Sequence, residues 1–249
     1  MHNCPLRISL AALLLVAMLV TLANPSIASE PAINELTAID VLLLPDPTMI
    51  ERAKAANARL RENNPQGFAL DATHHPHITL LQSYVRTRDL DAVYTEVERV
   101  LNREQPAGWE LEATGYYYLN FDNMGLAGIV IHPTPQLLRL QQAIIEVVEP
   151  YTEPDGTAAA YVTTPEHPGI NEPTLKYVNA FVAERSGKNF NPHVTVGVGS
   201  LDFAQKMKAA PFDKFKFKVA GAAVFHLGDN GTAQKQLWAW KVHTKQPAP

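Results

Sequence analysis

The sequence predicts an α+β fold assembled from two similar halves, and three observations predict it. Short apolar runs of strand length alternate with segments of helical periodicity. A pattern of proline, histidine, aliphatic, threonine, aliphatic occurs twice, as "PHITL" at residues 76–80 and "PHVTV" at 192–196. Each copy is followed by a helix-periodic segment and then by a hairpin turned at an Asp-Asn pair. Two copies of one unit would place equivalent strands side by side about a pseudo-twofold axis. Two unrelated α+β halves are the alternative that the pattern leaves open.

The chain opens on Arg7 with no acid before it, then an apolar stretch from Ile8 to Leu22, then "ANPSIASE". This is the layout of a cleavable secretory signal, with Ser26 and Ala28 as the small residues before the cut. A membrane anchor needs about 20 apolar residues, and this run is shorter. The expected division is a signal over residues 1–28 and one domain over 29–249, in a periplasmic or secreted location with no membrane attachment after cleavage. Cleavage removes Cys4, the single cysteine, so neither disulfides nor thiolate chemistry is expected. The net charge of −4 argues against a broad binder of duplex nucleic acid, which would show a basic face. A small anion in one local pocket is still allowed.

"AIDVLLLP" (residues 38–45) suits a central strand. Asp46 then caps a helix that Pro47 opens, with Met49, Ala53, Ala56 and Leu60 on one face. A strand runs from His77 to Val85, and Leu90, Val93, Val97, Val100 and Leu101 mark the next helix. "WELEATGYYYLN" and "GLAGIVIH" read as a hairpin turned by "FDNM". Thr134 caps and Pro135 opens a helix carrying Leu137, Leu138, Gln141, Ile144, Ile145 and Val148 on its buried face. A proline-rich loop, residues 153–173, leads to a helix around Leu175, Val178, Phe181 and Val182. The strand His193 to Gly199, a short helix from Leu201 to Ala210, and a second hairpin turned by "GDNG" close the chain.

Side chains alternate along a strand, so His77 and Thr79 share one face while Ile78 and Leu80 anchor the other. His193 and Thr195 repeat this against Val194 and Val196. Pro76 and Pro192 lack an amide hydrogen and fit the start of a strand. A single histidine on a strand is commonly a packing residue; two copies in matching contexts point to a shared task.

The two motifs resemble the paired His-x-Thr signatures of the 2H phosphoesterase superfamily, which includes 2′-5′ RNA ligase-like proteins and cyclic nucleotide phosphodiesterases. The resemblance spans about Ile39 to Val242. It implies a bilobal fold with two antiparallel sheets facing a central cleft and helices outside, and a site made of His77, Thr79, His193 and Thr195. The expected substrate is a small nucleotide or a short RNA-end phosphodiester.

The chemistry follows from the side chains. Opening a 2′,3′-cyclic phosphate needs a base to activate water and an acid to protonate the leaving oxygen, and imidazole titrates in the range that serves both. Threonine hydroxyls would hold the non-bridging oxygens. The scheme needs no cofactor and no metal, and the sequence does not decide which histidine is the base. Tyr116, Tyr118, Phe225 and Trp238 are candidates for stacking on a base or sugar, although aromatics on hairpin strands are more often core. Lys188 is a candidate for neutralising phosphate charge, or a solvated turn residue. The 153–173 loop reads as a lid or as a surface insertion. His74, His75 and His77 with Asp71 admit a zinc or copper site, although at most His75 and His77 share a face of an extended chain. A non-catalytic binding protein for phosphorylated nucleotides or sugars, and strand joining to a 2′-5′ linkage, are the remaining alternatives.

Overall fold

A computed structural model describes residues 35–242, apart from Ala72, Asp122 and Glu166. The expected signal at residues 1–28 lies outside the described residues. Among those described, no helix is long and apolar enough to cross a membrane.

The first unit runs β1 (Leu36–Pro45), α1 (Pro47–Asn63), β2 (Ile78–Arg86), α2 (Leu90–Glu104) and β3 (Glu110–Phe121). The second runs β4 (Met124–Ile131), α3 (Pro135–Val148), α4 (Glu172–Arg185), β5 (His193–Ser200), α5 (Leu201–Ala209) and β6 (Phe215–Leu227), with β7 (Ala233–Ala239) appended. The helix starts follow the capping chemistry. Asp46 accepts the Met49 amide of α1 at 3.3 Å, Thr134 accepts Leu137 of α3 at 3.2 Å, and Asn171 accepts Thr174 of α4 at 2.8 Å. Proline occupies the first turn in all three.

All strand pairs are antiparallel, and the seven strands follow the path β2-β1-β6-β3-β4-β5, with β7 on β6. β6 joins two sheets: residues 215–218 pair with β3, whereas 219–226 pair with β1 and 223–227 with β7. The path is palindromic if β2 matches β5, β1 matches β4 and β6 matches β3. The duplication is therefore present in the topology, with its axis between β6 and β3. One equivalent pair, β6 and β3, lies side by side as expected, whereas the other two pairs do not. The two histidine strands, β2 and β5, are the ends of the path, yet they come back into contact with each other.

One face of both sheets is packed by helices. Ile78, Leu80, Leu81 and Val85 of β2 join Val194 and Val196 of β5, and apolar residues of α1, α2 and α3, in a continuous buried core. Removing that apolar area from water supplies the main drive for folding. The 153–173 segment is tied down rather than free. Tyr161 and Tyr84 share a hydroxyl hydrogen bond of 2.6 Å, the Val162 amide donates to Leu227 at 2.9 Å, and the Asn171 amide donates to Asp229 at 2.8 Å.

Candidate active site

Both motifs sit on β-bulges. On β2, Thr79 faces Leu42 and Leu81 faces Val41, which leaves Leu80 as the extra residue. On β5, Thr195 faces Gly128 and Gly197 faces Ala127, which leaves Val196. In each motif the bulged residue directly follows the threonine. A bulge re-aims the side chains around it and frees a carbonyl from the ladder, and a buried carbonyl must find a donor. The donors come from the opposite unit: Asn57 Nδ2 of α1 donates to Val196 O at 2.8 Å, and Gln141 Nε2 of α3 donates to Leu80 O at 3.2 Å.

The histidines are anchored identically. His77 Nδ1 lies 2.6 Å from the His75 carbonyl, and His193 Nδ1 lies 2.7 Å from the Asn191 carbonyl. A carbonyl accepts only, so each Nδ1 carries the proton and each Nε2 is left for chemistry.

Beyond that anchor the two sides differ. Asp40 of β1, 0 % exposed, accepts Thr79 Oγ1 and Gln82 Nε2 on its Oδ2, each at 3.0 Å, and that oxygen lies 3.6 Å from His77 Nε2. Burial pushes the Asp40 carboxyl up, against the His77 charge and the two hydrogen bonds. The palindrome puts Leu126 where Asp40 stands in the first unit, so His193 has no such carboxylate. Its ring meets Tyr117 of β3 edge-on at 4.6 Å. Shielding from solvent holds the His193 imidazole well below its ordinary range, to about 4, and the His77 and Arg185 charges act in the same direction. Tyr117 also shares a hydrogen bond with the Thr195 side chain, and burial pushes its hydroxyl up. A Cβ on Gly128 would lie 2.3 Å from Tyr117 Cε1, so the bare glycine is what lets the ring lie there.

α4 supplies the cleft's cation. The Arg185 guanidinium lies 5.5 Å over the Tyr177 ring, and its charge reaches His193, Tyr117 and Tyr177. Its buried Nε has no hydrogen-bond partner among the described residues.

Thr79, His193 and Thr195 thus lie on the two strands that meet, and His77 immediately precedes the first of them. The aromatic candidates are mostly elsewhere. Tyr116 packs edge-on against Phe212 at 4.9 Å, Tyr118 lies under the Lys208 ammonium of α5, and Trp238 stacks on Tyr94 of α2 at 6.1 Å. All three face the helix layer, because alternation along β3 and β7 turns them there and turns Tyr117 to the cleft. Phe225, opposite Asp40 on β6, is on the cleft side but only 4 % exposed, where it packs as floor near the His75 ring. Lys188 is exposed in the Gly187–Asn189 turn. The His74 ring stacks on Phe68 at 4.8 Å, and among the described residues no three metal-ligating side chains form a group. Asp40, Gln82, Tyr117, Tyr177 and Arg185 are the site residues that sequence reading missed.

Two histidine strands from a duplicated α+β unit, each offering Nε2 to one cleft, define the class of two-histidine phosphoesterase folds. Residues 45–231 match the 2′-5′ RNA ligase superfamily, and the chain belongs to that family. TT0787 of Thermus thermophilus has a similar fold, with a TM-score of 0.53 at 15 % identity over 84 % of this chain and 100 % of that one. Escherichia coli LigT in apo form aligns with a TM-score of 0.43 at 12 % identity, over 83 % of this chain and 97 % of LigT. Kluyveromyces marxianus Usb1 with uridine monophosphate aligns with a TM-score of 0.38 at 11 % identity, over 80 % and 97 % of the two chains. No curated protein matches the sequence.

Proposed function

We propose that this protein is a phosphodiesterase that opens a 2′,3′-cyclic phosphate, or a related small nucleotide or RNA-end phosphodiester, by two-histidine acid and base catalysis. The observation that supports this reading is the matched anchoring of the rings. Each Nδ1–H is held by the carbonyl two residues earlier, so each Nε2 is presented in a fixed tautomer from one of two strands in mutual contact. Arg185 supplies a cation for the non-bridging oxygens. Thr79 and Thr195 re-aim their hydroxyls from Asp40 and Tyr117 to the phosphate as it binds. Ordered donors of this kind stabilise the charge that develops on the phosphoryl oxygens. The leader-like residues 1–28 support an exported location, which cell fractionation with and without those residues tests.

The test of activity is hydrolysis of the four nucleoside 2′,3′-cyclic monophosphates in EDTA by the chain lacking residues 1–28. Turnover that is lost in both His77→Ala and His193→Ala supports the reading. Undiminished turnover in either variant overturns the mechanism, as does activity that EDTA abolishes and zinc restores. Absence of turnover on all four, with tight binding of the same compounds, replaces catalysis with a binding role.

A further inference from the structure

The duplication predicts two equivalent histidines, yet the structure gives them unequal surroundings. His77 has an acceptor near both ring nitrogens, the His75 carbonyl at Nδ1 and the Asp40 carboxylate at Nε2. That is the arrangement an imidazolium needs, since it donates from both nitrogens. The 3.6 Å separation from Asp40 is longer than a hydrogen bond. At that distance His77 Nε2 is left free to turn to a substrate oxygen. His193 has one acceptor, the Asn191 carbonyl, and the equivalent of Asp40 is the apolar Leu126. The groups around it are the Tyr117 ring, the Arg185 guanidinium and His77 itself, none of which rewards a proton on its Nε2.

We infer that Asp40 is a positioning residue that divides the labour between the histidines: it makes His77 the proton donor to the leaving oxygen and leaves His193 to take the proton from water. This rests on the phosphodiesterase reading above. In the step, the water oxygen bonds to phosphorus as its proton passes to His193 Nε2. The bond from phosphorus to one ribose oxygen breaks, and that oxygen takes the proton from His77 Nε2. The products are a phosphomonoester and a free hydroxyl, with His193 charged and His77 neutral until solvent exchanges the protons back. Asp40 is 0 % exposed and acts through His77.

The other charged or titratable groups around His77 do not substitute for Asp40. His75 contributes its backbone carbonyl, and His193 opposes a second positive charge. Tyr177 of α4, which senses the Asp40 charge, is a neutral phenol, and Arg185 repels a cation. Asp40 is held in place by Thr79 and Gln82, and the Gln82 amide is in turn fixed by the Gly231 carbonyl of the β6–β7 turn at 3.1 Å.

The test reads ring protons directly, with no substrate, by nitrogen-15 NMR of the histidines in the chain lacking residues 1–28. The expected wild-type result is that, as the pH is lowered, His77 takes a proton on its second nitrogen before His193 does. In Asp40→Asn, which preserves side-chain shape, His77 holds its second proton less well than in the wild type, while His193 is unchanged. A wild-type spectrum with His77 neutral and His193 charged overturns the assignment, and so does an Asp40→Asn spectrum that matches the wild type. The wild-type spectrum suffices if the variant does not fold. Kinetics add a separate readout on a diester with a 4-nitrophenolate leaving group, which needs no protonation. There His77→Ala and Asp40→Asn recover most of their lost rate and His193→Ala does not; recovery by His193→Ala alone reverses the roles. Failure of wild-type turnover counts against the proposed activity and leaves the NMR result to judge Asp40.

Discussion

Asn57 of α1 donates its carboxamide hydrogen to the Val196 carbonyl at 2.8 Å, so a helix of one unit holds the bulge behind the other unit's histidine. The same side chain donates to Phe68 O at 2.9 Å and accepts the Leu70 amide at 3.2 Å. Asn57→Leu leaves three backbone groups unpaired in the interior. At about 1–3 kcal/mol for a buried group that loses its partner, partly relieved by rearrangement, the expected loss is roughly 2–4 kcal/mol. The urea midpoint checks this. Gln141→Met, which strips Leu80 O and Arg185 O of their donor, has the same sign.

On the proposed mechanism, replacing either histidine by alanine removes one proton-transfer group. Each variant is expected to lower kcat by roughly 10²–10⁴ with folding intact. The two act in one step, so the double variant falls far short of the product of the single losses. Multiplicative losses in steady-state kinetics would show that the histidines work independently.

His193 makes acid destabilising. Its folded-state value is about 4 against an ordinary 6.5, so between those values the unfolded chain binds the proton and the folded chain does not. Its contribution is complete above pH 6.5, declines as the pH falls towards 4, and levels off below. Asp40, pushed up by burial, has the opposite sign and weakens the fold as the pH rises past its ordinary range. His193→Gln therefore has a flatter stability profile than the wild type between pH 4 and 6.5. Superimposable urea midpoints across that interval would remove the argument.

Gly128→Ala drives a methyl group into Tyr117. The ring must leave both His193 and Thr195. A misplacement of this kind is expected to lower kcat/KM by roughly tenfold to a hundredfold, and the overpacking to cost about 1–3 kcal/mol. Adding Tyr117→Ala to Gly128→Ala relieves the clash, so the thermal midpoint rises again while activity does not. A rise in both would mean that the tyrosine has no part in the site.

The elements were legible because their signals are local. Asp46, Thr134 and the prolines after them fix helix starts through groups within one turn. The His-x-Thr pairs were legible because strand alternation puts both on one face. Asp40 carried a signal as well, being the lone acid in "AIDVLLLP", but an apolar run reads as buried on both sides and hides which side a polar residue serves. The bulges at Leu80 and Val196 are aliphatic residues among aliphatic residues, and nothing local marks which one is unpaired. Which face of β3 turns to the site, Tyr117 or the pair Tyr116 and Tyr118, depends on a register shift between Ala113 and Gly115 that cannot be counted from sequence. The adjacency expected of equivalent strands held for β6 and β3 but not for the histidine strands, because strand order depends on pairings between distant residues, and a repeat fixes symmetry without fixing every neighbour.

The strand path puts both histidines on the sheet's outermost strands, and that exposes the molecule to a hazard unrelated to chemistry. An outermost strand offers a row of unused amides and carbonyls to any other chain and is the usual seed of aggregation. Here the rims are covered. Val198 O on β5 takes Asn64 Nδ2 at 3.3 Å, and β2 is bridged at Val85 by Thr152 and at Tyr84 O by the Glu153 amide at 3.1 Å. The loops after α1 and α3 therefore serve solubility. Shortening either one uncovers a strand whose other face is core, and the consequence is a chain that sticks to its own copies before it loses its fold.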